Sequence, residues 1–413
     1  MNKGRAMGSD RVMGRRQAMA FLDGLEAKGI KLGLGRMEKF LAFAGNPEKR
    51  FNSVHVAGTN GKGSTCAMVE RVLREAGFKT GFYSSPHLVE FNERIKVNGK
   101  DIGDARLARL VFETRRMAEK SGIELSYFEF ITAMAFRHFA ACGVEIAVVE
   151  AGMGGRLDAT NVLVPLVSVV TNVELEHEAY LGNTIEKIAA EKAGIIKKGV
   201  PVVTGERRES VLRVLKEKCG EWNAQLVVAK KPYAGKIGLF GCFQEWNAAL
   251  AFEVAVQLQK QGVVIKDGAI KKGIAAAEWP GRFQVVRRRP IVVLDCAHNP
   301  ACCAALALAF AKIFPGKKAL LVFGVSSDKQ VKGMAVSLAK VSKKVFATNA
   351  KLRAMPFEII EKAFSGLGVE LDHVPGVSNA LKKALSEAGK GDIVLVSGSC
   401  FVVGEAMAAL GKK

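Results

Sequence analysis

Residues 53–65 read SVHVAGTNGKGST. The first five residues form a β-branched run typical of a buried strand, and helical periodicity follows from about residue 64 to residue 76. Glycines between strand and helix allow backbone N–H groups to converge on phosphate oxygens at a helix N-terminus. Lys62 can reach the outer phosphates of a nucleotide, and Ser64 can contact a metal ion. The stretch therefore predicts a strand, a phosphate-binding loop and a helix.

The loop departs from the strict GxxxxGK[ST] pattern, because a glycine stands between Lys62 and Ser64. An ordinary glycine-rich turn between a strand and a helix is the alternative interpretation. We favour phosphate binding, because the lysine and the serine lie where such a loop needs them.

Strand patterns alternate with helical stretches along most of the chain, which favours parallel sheets connected by crossover helices. Further strands are predicted at 144–149, 166–171, 200–204, 291–294, 319–323, 344–348 and 393–396. We expect an α/β protein of two domains. The first, residues 1–288, is predicted to be a P-loop-type ATPase domain with a parallel sheet. The second, residues 289–413, is predicted to be a smaller Rossmann-like domain, with the boundary at the arginines and proline of 287–290.

Composition excludes several classes of protein. The 413 residues carry 61 Lys and Arg against 40 Asp and Glu, a formal charge of +21, and no apolar run reaches the ~18 residues of a membrane span. The eight cysteines lack CxxC spacing, so we expect free thiols and a cytoplasmic location. The basic surplus suits nucleic acid or polyanionic small molecules. Nucleic acid is the less favoured partner, because the basic clusters lack interleaved aromatic residues.

Oxygen and nitrogen ligands for a metal ion follow two of the predicted strands. Glu150 comes directly after the strand at 144–149 and precedes a glycine-rich turn, and His177 follows the strand at 166–171. Phosphoryl transfer needs a divalent cation, so both are candidate ligands. A solvated glutamate and a surface histidine are the alternatives.

Six short motifs add a stronger signal than any single loop. They read VAGTNGKGS at 56–64, YSSPHL at 83–88, EAGMGGRLDATN at 150–161, EKAG at 191–194, PGR at 280–282 and DCAHNP at 295–300. In this order and spacing they resemble folylpolyglutamate synthase and bifunctional dihydrofolate synthase, within the Mur ligase superfamily. The resemblance runs from about Lys31 to Glu405 and so covers nearly the whole chain.

The resemblance implies ATP-dependent amide ligation. A folate or pteroate carboxylate takes the γ-phosphoryl group of ATP, and the amino group of L-glutamate attacks the acyl phosphate. The implied substrates are ATP, L-glutamate and dihydropteroate or a reduced folate, with Mg²⁺ as cofactor. We expect a monomer with no membrane partner.

The resemblance also implies roles for individual residues. The triphosphate contacts are Thr59, Asn60, Gly61, Lys62, Gly63 and Ser64. The magnesium ligands are Ser85, Glu150 and His177. The other nucleotide contacts are Asn247, Arg282, Asp295 and His298. The pterin side of the acceptor is expected at Phe128, Glu129 and Asp158. Lys192 matches a lysine that is carbamylated in the family, and catalysis is expected to depend on Lys62, Lys192, His177 and Arg282.

These roles agree with the chemistry of phosphoryl transfer, which consists mostly of positioning and charge neutralisation. Lys62 and Arg282 would oppose the charge on the transferring group, and a cleft between the domains would exclude water. From local pattern alone, an exposed Lys192 paired with Glu191 and a core position for Phe128 are the alternatives.

Two other functions are weighed against folate ligation. One is a Mur-type ligase that adds an amino acid to a different carboxylate. The other is an inactive, nucleotide-dependent RNA-binding protein, and the intact candidate metal ligands argue against it. The chain departs from the usual family pattern at Glu176, where an aspartate is common, and at Phe243, where some members have a histidine.

Overall fold

The run at residues 53–57 lies in a central strand of an eight-stranded sheet in the computed structural model, which describes residues 13–29 and 31–411. The strands of this sheet are β1 (Asn52–Ala57), β2 (Thr80–Tyr83), β3 (Ile95–Val97), β4 (Lys100–Asp101), β5 (Ile146–Glu150), β6 (Val167–Val170), β7 (Val202–Thr204) and β8 (Leu226–Val228). Their order is β4-β3-β2-β5-β1-β6-β7-β8. The pairs from β2 to β8 are parallel, whereas β3 and β4 form an antiparallel edge.

A second sheet forms from the C-terminal third of the chain. Its strands are β9 (Gln284–Arg288), β10 (Ile291–Leu294), β11 (Ala319–Phe323), β12 (Ser342–Ala347), β13 (Glu370–His373) and β14 (Ile393–Ser397). Their order is β13-β12-β11-β14-β10-β9, and only the β9–β10 pair is antiparallel.

Helices cover both sheets. Those associated with the first sheet are α1 (Arg15–Glu26), α2 (Gly35–Phe43), α3 (Lys62–Glu75), α4 (Asp104–Ser121), α5 (Tyr127–Cys142), α6 (Glu178–Leu181), α7 (Ile185–Ala193), α8 (Glu209–Glu221), α9 (Gln244–Lys260) and α10 (Asp267–Ala276). Those of the second unit are α11 (Pro300–Ile313), α12 (Val331–Ala339), α13 (Phe357–Phe364), α14 (Val377–Glu387) and α15 (Cys400–Ala409).

The first sheet is buried on both faces, which explains its continuous apolar strands. One face packs against α3, α9 and α10, with Val54, Val56 and Val72 in the shared core. The other face packs against α1, α4 and α5, with Val149 in that core. Each such side chain contributes about 1.5–3 kcal/mol when fully buried. The sheet is therefore a rigid support for the loops at its carboxyl edge.

The strand register brings the predicted site loops to one edge. Val56 lies opposite Glu150 on β5, and Ala57 lies opposite Val170 on β6. The loops after β1, β5 and β6 therefore leave the sheet side by side, and open α/β sheets bind their ligands at this edge.

The structure confirms the predicted α/β class and the two-sheet architecture, with a parallel-rich first unit and a smaller second one. The proposed boundary between residues 288 and 289 stays a prediction, and the β9–β10 hairpin of the second sheet spans it. Residues 1–12, 30 and 412–413, which belong to the predicted domains, lie outside the described residues. In the described part of the chain, no helix has the length and apolarity needed to cross a membrane.

Candidate active site

The loop between β1 and α3 has the backbone shape of a phosphate cradle. Gly58 and Gly61 have φ angles of 144° and 83°, which side-chain-bearing residues rarely adopt. A Cβ atom on Gly63 would lie 2.6 Å from Nε1 of Trp279. Lys62 Nζ donates hydrogen bonds to the carbonyl oxygens of Gly58 (3.0 Å) and Thr59 (3.2 Å). The lysine thus lies over the loop, where its ammonium group can exchange these carbonyl oxygens for phosphate oxygens as hydrogen-bond acceptors.

The loop opens onto a cavity of about 540 Å³ between the two units. Thirteen of the residues predicted for nucleotide or metal binding line it: Thr59, Asn60, Gly61, Lys62, Gly63, Ser64, Ser85, Glu150, His177, Asn247, Arg282, Asp295 and His298. A second cavity of about 680 Å³ shares six lining residues with it: Gly63, Ser85, Pro86, Glu150, Arg282 and Cys400. The shared residues mark the place where a ligand in one cavity would meet a ligand in the other.

Glu150 and His177 lie in surroundings that suit metal ligands, and His177 also has the neutral form that a ligand needs. Burial raises the pKa of Glu150 to about 7, against the opposing charges of Lys62 and Arg282 and a hydrogen bond from the Ser85 N–H. Burial and the charge of Lys329 lower the pKa of His177 to about 4, which leaves a neutral imidazole. A cation at this position would relieve the cost of the buried carboxylate.

The donor set fits Mg²⁺. Carboxylate and hydroxyl oxygens, which Mg²⁺ prefers, are supplied by Glu150 and Ser85. Among the described residues, no group of three or more His, Cys, Asp and Glu side chains is arranged to hold a metal alone. This agrees with the usual behaviour of Mg²⁺, which keeps several waters and shares its remaining positions with substrate phosphates.

Lys192 is a buried member of an ion pair and not an exposed helix lysine. Its side chain is 1% exposed, and Nζ lies 2.6 Å from Oε1 of Glu176. Burial lowers the pKa of Lys192 to about 8, although Glu176 acts in the opposite direction. Burial alone would raise the pKa of Glu176, but Lys192 and Lys62 lower it to about 2. Glu176 lines the cavity, so the pair lies directly behind the site.

Arg282 and Asp295 form the wall contributed by the second unit. Asp295 accepts hydrogen bonds from the backbone N–H groups of Phe283 and Ala297, both at 2.8 Å. Burial raises its pKa to about 6, and Arg282 opposes that change. Arg282 is half-buried, and its partial burial disfavours its charge, but neighbouring thiols and Asp295 raise its pKa further above the usual range. The guanidinium is therefore a fixed cation facing the phosphate loop.

Several residues of the site were missed by sequence reasoning. Asn60 Oδ1 accepts from Asn299 Nδ2 (2.8 Å) and from the Cys302 thiol (2.9 Å), so the phosphate loop touches the start of α11. Asn299 falls inside the motif at 295–300, and that motif could have suggested it. Arg207 and Trp246 also line the cavity, and the guanidinium carbon of Arg207 lies 3.3 Å from the centre of the Trp246 ring. No sequence signal joins these two residues.

The three residues predicted for the acceptor lie outside the lining of both cavities. Glu129 Oε2 accepts from the Ser126 N–H at 2.7 Å and pairs with Arg36. Asp158 accepts from the Met153 N–H (2.9 Å) and the Thr160 N–H (3.0 Å), and so shapes the glycine-rich turn after β5. Phe128 packs beside Gly152 of the same turn. Their role toward a pterin stays a prediction.

Residues 56–230 match the Mur ligase middle domain, and residues 281–400 match the glutamate ligase domain of Mur ligases. The first unit carries the phosphate loop, and the second unit places Arg282 in the lining of the same cavity. Together with the two domain matches, these features identify the chain as a ligase of the Mur type.

Proteins similar in sequence show which family of Mur-type ligases the chain belongs to. The chain is 34% identical to the dihydrofolate synthase/folylpolyglutamate synthase of Bacillus subtilis, over 94% of this chain and 97% of that protein. It is 32% identical to the Escherichia coli enzyme of the same name, over 94% of each. The chain belongs to the dihydrofolate synthase/folylpolyglutamate synthase family, which confirms the expectation of an ATP-dependent ligase.

Solved structures of enzymes from this family have the same fold as this chain. E. coli FolC in complex with DHPP and ADP superimposes with a TM-score of 0.87 at 31% identity, over 95% of this chain and 97% of that one. The Yersinia pestis bifunctional enzyme complexed with AMPPNP and Mn ion has a TM-score of 0.87 at 30% identity, over 98% and 100% of the two chains.

Proposed function

We propose that this enzyme joins L-glutamate to a pteroate or folate carboxylate, with ATP and Mg²⁺. A single observation carries the proposal: one cavity between the two units is lined by the phosphate loop, by Glu150 and His177, and by Arg282. The B. subtilis and E. coli relatives are named for these two synthase activities. A Y. pestis structure was determined with Mn, AMPPNP and L-glutamate bound.

The residues of the site account for the first chemical step. Loop N–H groups and the N-terminus of α3 hold the phosphates of ATP. Lys62 and Arg282 neutralise the charge on the γ-phosphoryl group as it moves from ADP to a carboxylate oxygen of the acceptor. Ser85, Glu150 and His177 would hold Mg²⁺, which would supply further charge neutralisation when bound.

The second step joins the two substrates. The amino nitrogen of L-glutamate attacks the acyl carbon, a proton leaves the nitrogen, and phosphate departs as the amide forms. The cavity between the units shields the acyl phosphate from hydrolysis, because its walls come from both units. Asn60 and Asn299 join these walls directly.

Lys192 is proposed to act as a carbamate. Its pKa of about 8 leaves roughly a tenth of the amine neutral at pH 7, and the neutral amine is the form that adds CO₂. At a pKa of 10.5 the neutral share would be on the order of a few parts in ten thousand. The carbamate would turn a buried cation into an anion close to the metal ligands.

Product analysis tests the function. Purified enzyme receives ATP, Mg²⁺, L-glutamate and either dihydropteroate or a reduced folate, and product masses are measured together with phosphate release. We expect one added glutamate per phosphate released, and release that requires both glutamate and acceptor. Phosphate release that needs neither, and is stimulated by RNA, would contradict ligation.

We further propose a monomeric, cytoplasmic enzyme. All eight cysteines are free thiols, which is typical of proteins in a reducing compartment. Light scattering coupled to gel filtration tests the monomer, and a mass of twice the chain would contradict it.

A further inference from the structure

Two cysteines of the second unit lie together at the wall of the nucleotide cavity. Cys296 follows β10, and Cys400 is the first residue of α15, which follows β14. The two strands are parallel neighbours, with Leu294 opposite Val396. The loops that follow them stay together, because the Gly398 N–H donates to the Ala297 carbonyl at 3.0 Å. The topology therefore brings the two side chains to one point of the sheet edge.

The two thiols lie close together in the lining of the cavity. Each is a cause of the other's pKa shift. Cys296 is 2% exposed and Cys400 is half-buried, and both line the 540 Å³ cavity. Cys400 also borders the larger cavity of about 680 Å³. A small solute that enters either cavity can reach this thiol.

The surroundings make one of the two thiols the nucleophile. The interaction with the neighbouring Cys296 thiol, together with the charge of Arg282, lowers the pKa of Cys400 well below its usual value. Its position at the first turn of α15 acts in the same direction. Burial raises the pKa of Cys296, so the second thiol stays protonated. A thiolate beside a thiol is the arrangement found in reactive dithiols.

We propose that Cys296 and Cys400 form a reversible disulfide that weakens nucleotide binding, so that the ligase is regulated by thiol oxidation. The inference deepens the proposed function, since it rests on the assignment of Arg282 to the nucleotide site. In the reduced protein, the charge of Arg282 acts on the Cys400 thiolate, and both residues line the nucleotide cavity. Oxidation removes the negative charge beside Arg282 and ties the start of α15 to the loop after β10.

The oxidant is a low-molecular-weight disulfide such as oxidised glutathione. The Cys400 thiolate attacks one sulfur of that disulfide, forms a mixed disulfide and releases one glutathione thiolate. Cys296 loses its proton and attacks the Cys400 sulfur, which releases the second glutathione. Two electrons pass from the protein thiols to the glutathione disulfide, and dithiothreitol reverses the reaction.

The test combines peptide mapping with nucleotide binding. Full-length enzyme is treated with oxidised glutathione and digested without reduction, and linked peptides are identified by mass spectrometry. ADP affinity is measured by calorimetry before oxidation, after it, and after dithiothreitol. We expect a linked Cys296–Cys400 peptide and an ADP affinity that falls by about tenfold, the equivalent of one charged hydrogen bond, and then recovers.

Two variants separate the pair from the other thiols. Cys400→Ser should give no linked peptide and an ADP affinity insensitive to oxidised glutathione, compared with its own untreated value. Cys302→Ser is the matched control, because it removes the third cavity cysteine and leaves the pair. It should still form the link.

Two results overturn the inference while leaving the proposed function intact. One is wild-type enzyme that binds ADP and ligates but gives no linked peptide, including the case in which only a glutathione adduct forms. The other is a linked peptide with unchanged ADP affinity. Reduced enzyme that binds no ADP at all would contradict the proposed function, and the switch with it.

Discussion

Replacing Glu176 and Lys192 together, by Gln and Met, is expected to leave stability almost unchanged and to abolish ligation. The two side chains form a buried ion pair with an Nζ–Oε1 distance of 2.6 Å. Breaking such a pair at one end leaves a buried charge without a partner and costs about 3–5 kcal/mol. Replacing both ends by groups of similar shape removes both charges, so that cost does not arise.

The two pKa values show that the members of the pair affect stability in opposite directions. In the folded protein the pKa of Glu176 is about 2, against an ordinary 4.5, which stabilises the fold by about 3 kcal/mol above pH 4.5 and is lost as the pH falls through 2. The pKa of Lys192 is about 8, against an ordinary 10.5, which destabilises the fold by about 3 kcal/mol below pH 8 and disappears as the pH rises through 10.5. The two contributions have opposite signs, but the Glu176–Lys192 attraction enters both pKa values, so they are not added. The small net change expected for the double variant rests on the near-neutral replacement of buried ion pairs by groups of similar shape.

Urea unfolding at pH 7 measures the outcome. We expect the double variant to lie within about 1 kcal/mol of wild type, and Lys192→Met alone to lose about 3–5 kcal/mol. Turnover of the double variant should fall to background, because it cannot form a carbamate. A double variant that loses more than about 3 kcal/mol, or that keeps wild-type turnover, would refute the reasoning.

Three further substitutions test the phosphate loop and the metal ligands. Lys62→Ala should lower kcat by about 10²–10³-fold in steady-state assays without changing the thermal midpoint. Lys62→Arg is its charge-preserving control. A normal rate in the alanine variant would reject the assignment of Lys62 to phosphate binding. Glu150→Gln should raise the Mg²⁺ concentration needed for half-maximal activity by about tenfold or more, whereas an unaltered metal titration would count against a ligand role. Gly61→Ala should raise KM for ATP and cost about 1–2 kcal/mol, because φ is 83° and the new Cβ would meet the Asn247 amide; unchanged stability would contradict this.

The central parts of the fold could be predicted because they are long and apolar. The strands at 53–57, 291–294 and 319–323 were confirmed within a residue, since buried parallel strands leave a continuous hydrophobic run. The antiparallel edge strands β3 and β4 were missed. They are three and two residues long, and β4 is wholly exposed, so they carry no run of this kind.

In the site, as in the fold, residues with a local sequence signal could be predicted and residues placed by tertiary packing could not. Each loop residue predicted to bind nucleotide lines the cavity, because a glycine-rich turn is a local signal. The burial of Lys192 could not be predicted from local pattern. It follows from the packing of α7 beneath the glycine-rich turn after β5, where Gly155 lies so close to the backbone of α7 that an added Cβ would lie 2.8 Å from the Glu191 carbonyl oxygen. A contact of this kind depends on the tertiary fold.

Asn60 of the phosphate loop is held by hydrogen bonds with both units. Within the first unit, its N–H donates to Asn172 Oδ1 (2.7 Å) and its carbonyl accepts from Thr171 Oγ1 (2.7 Å). Its side-chain oxygen is held by Asn299 and Cys302 of the second unit. The loop conformation is thus fixed before nucleotide arrives, and binding loses little entropy in ordering it. Since two of these four hydrogen bonds come from the second unit, the contact between the units helps to hold the phosphate loop in this conformation.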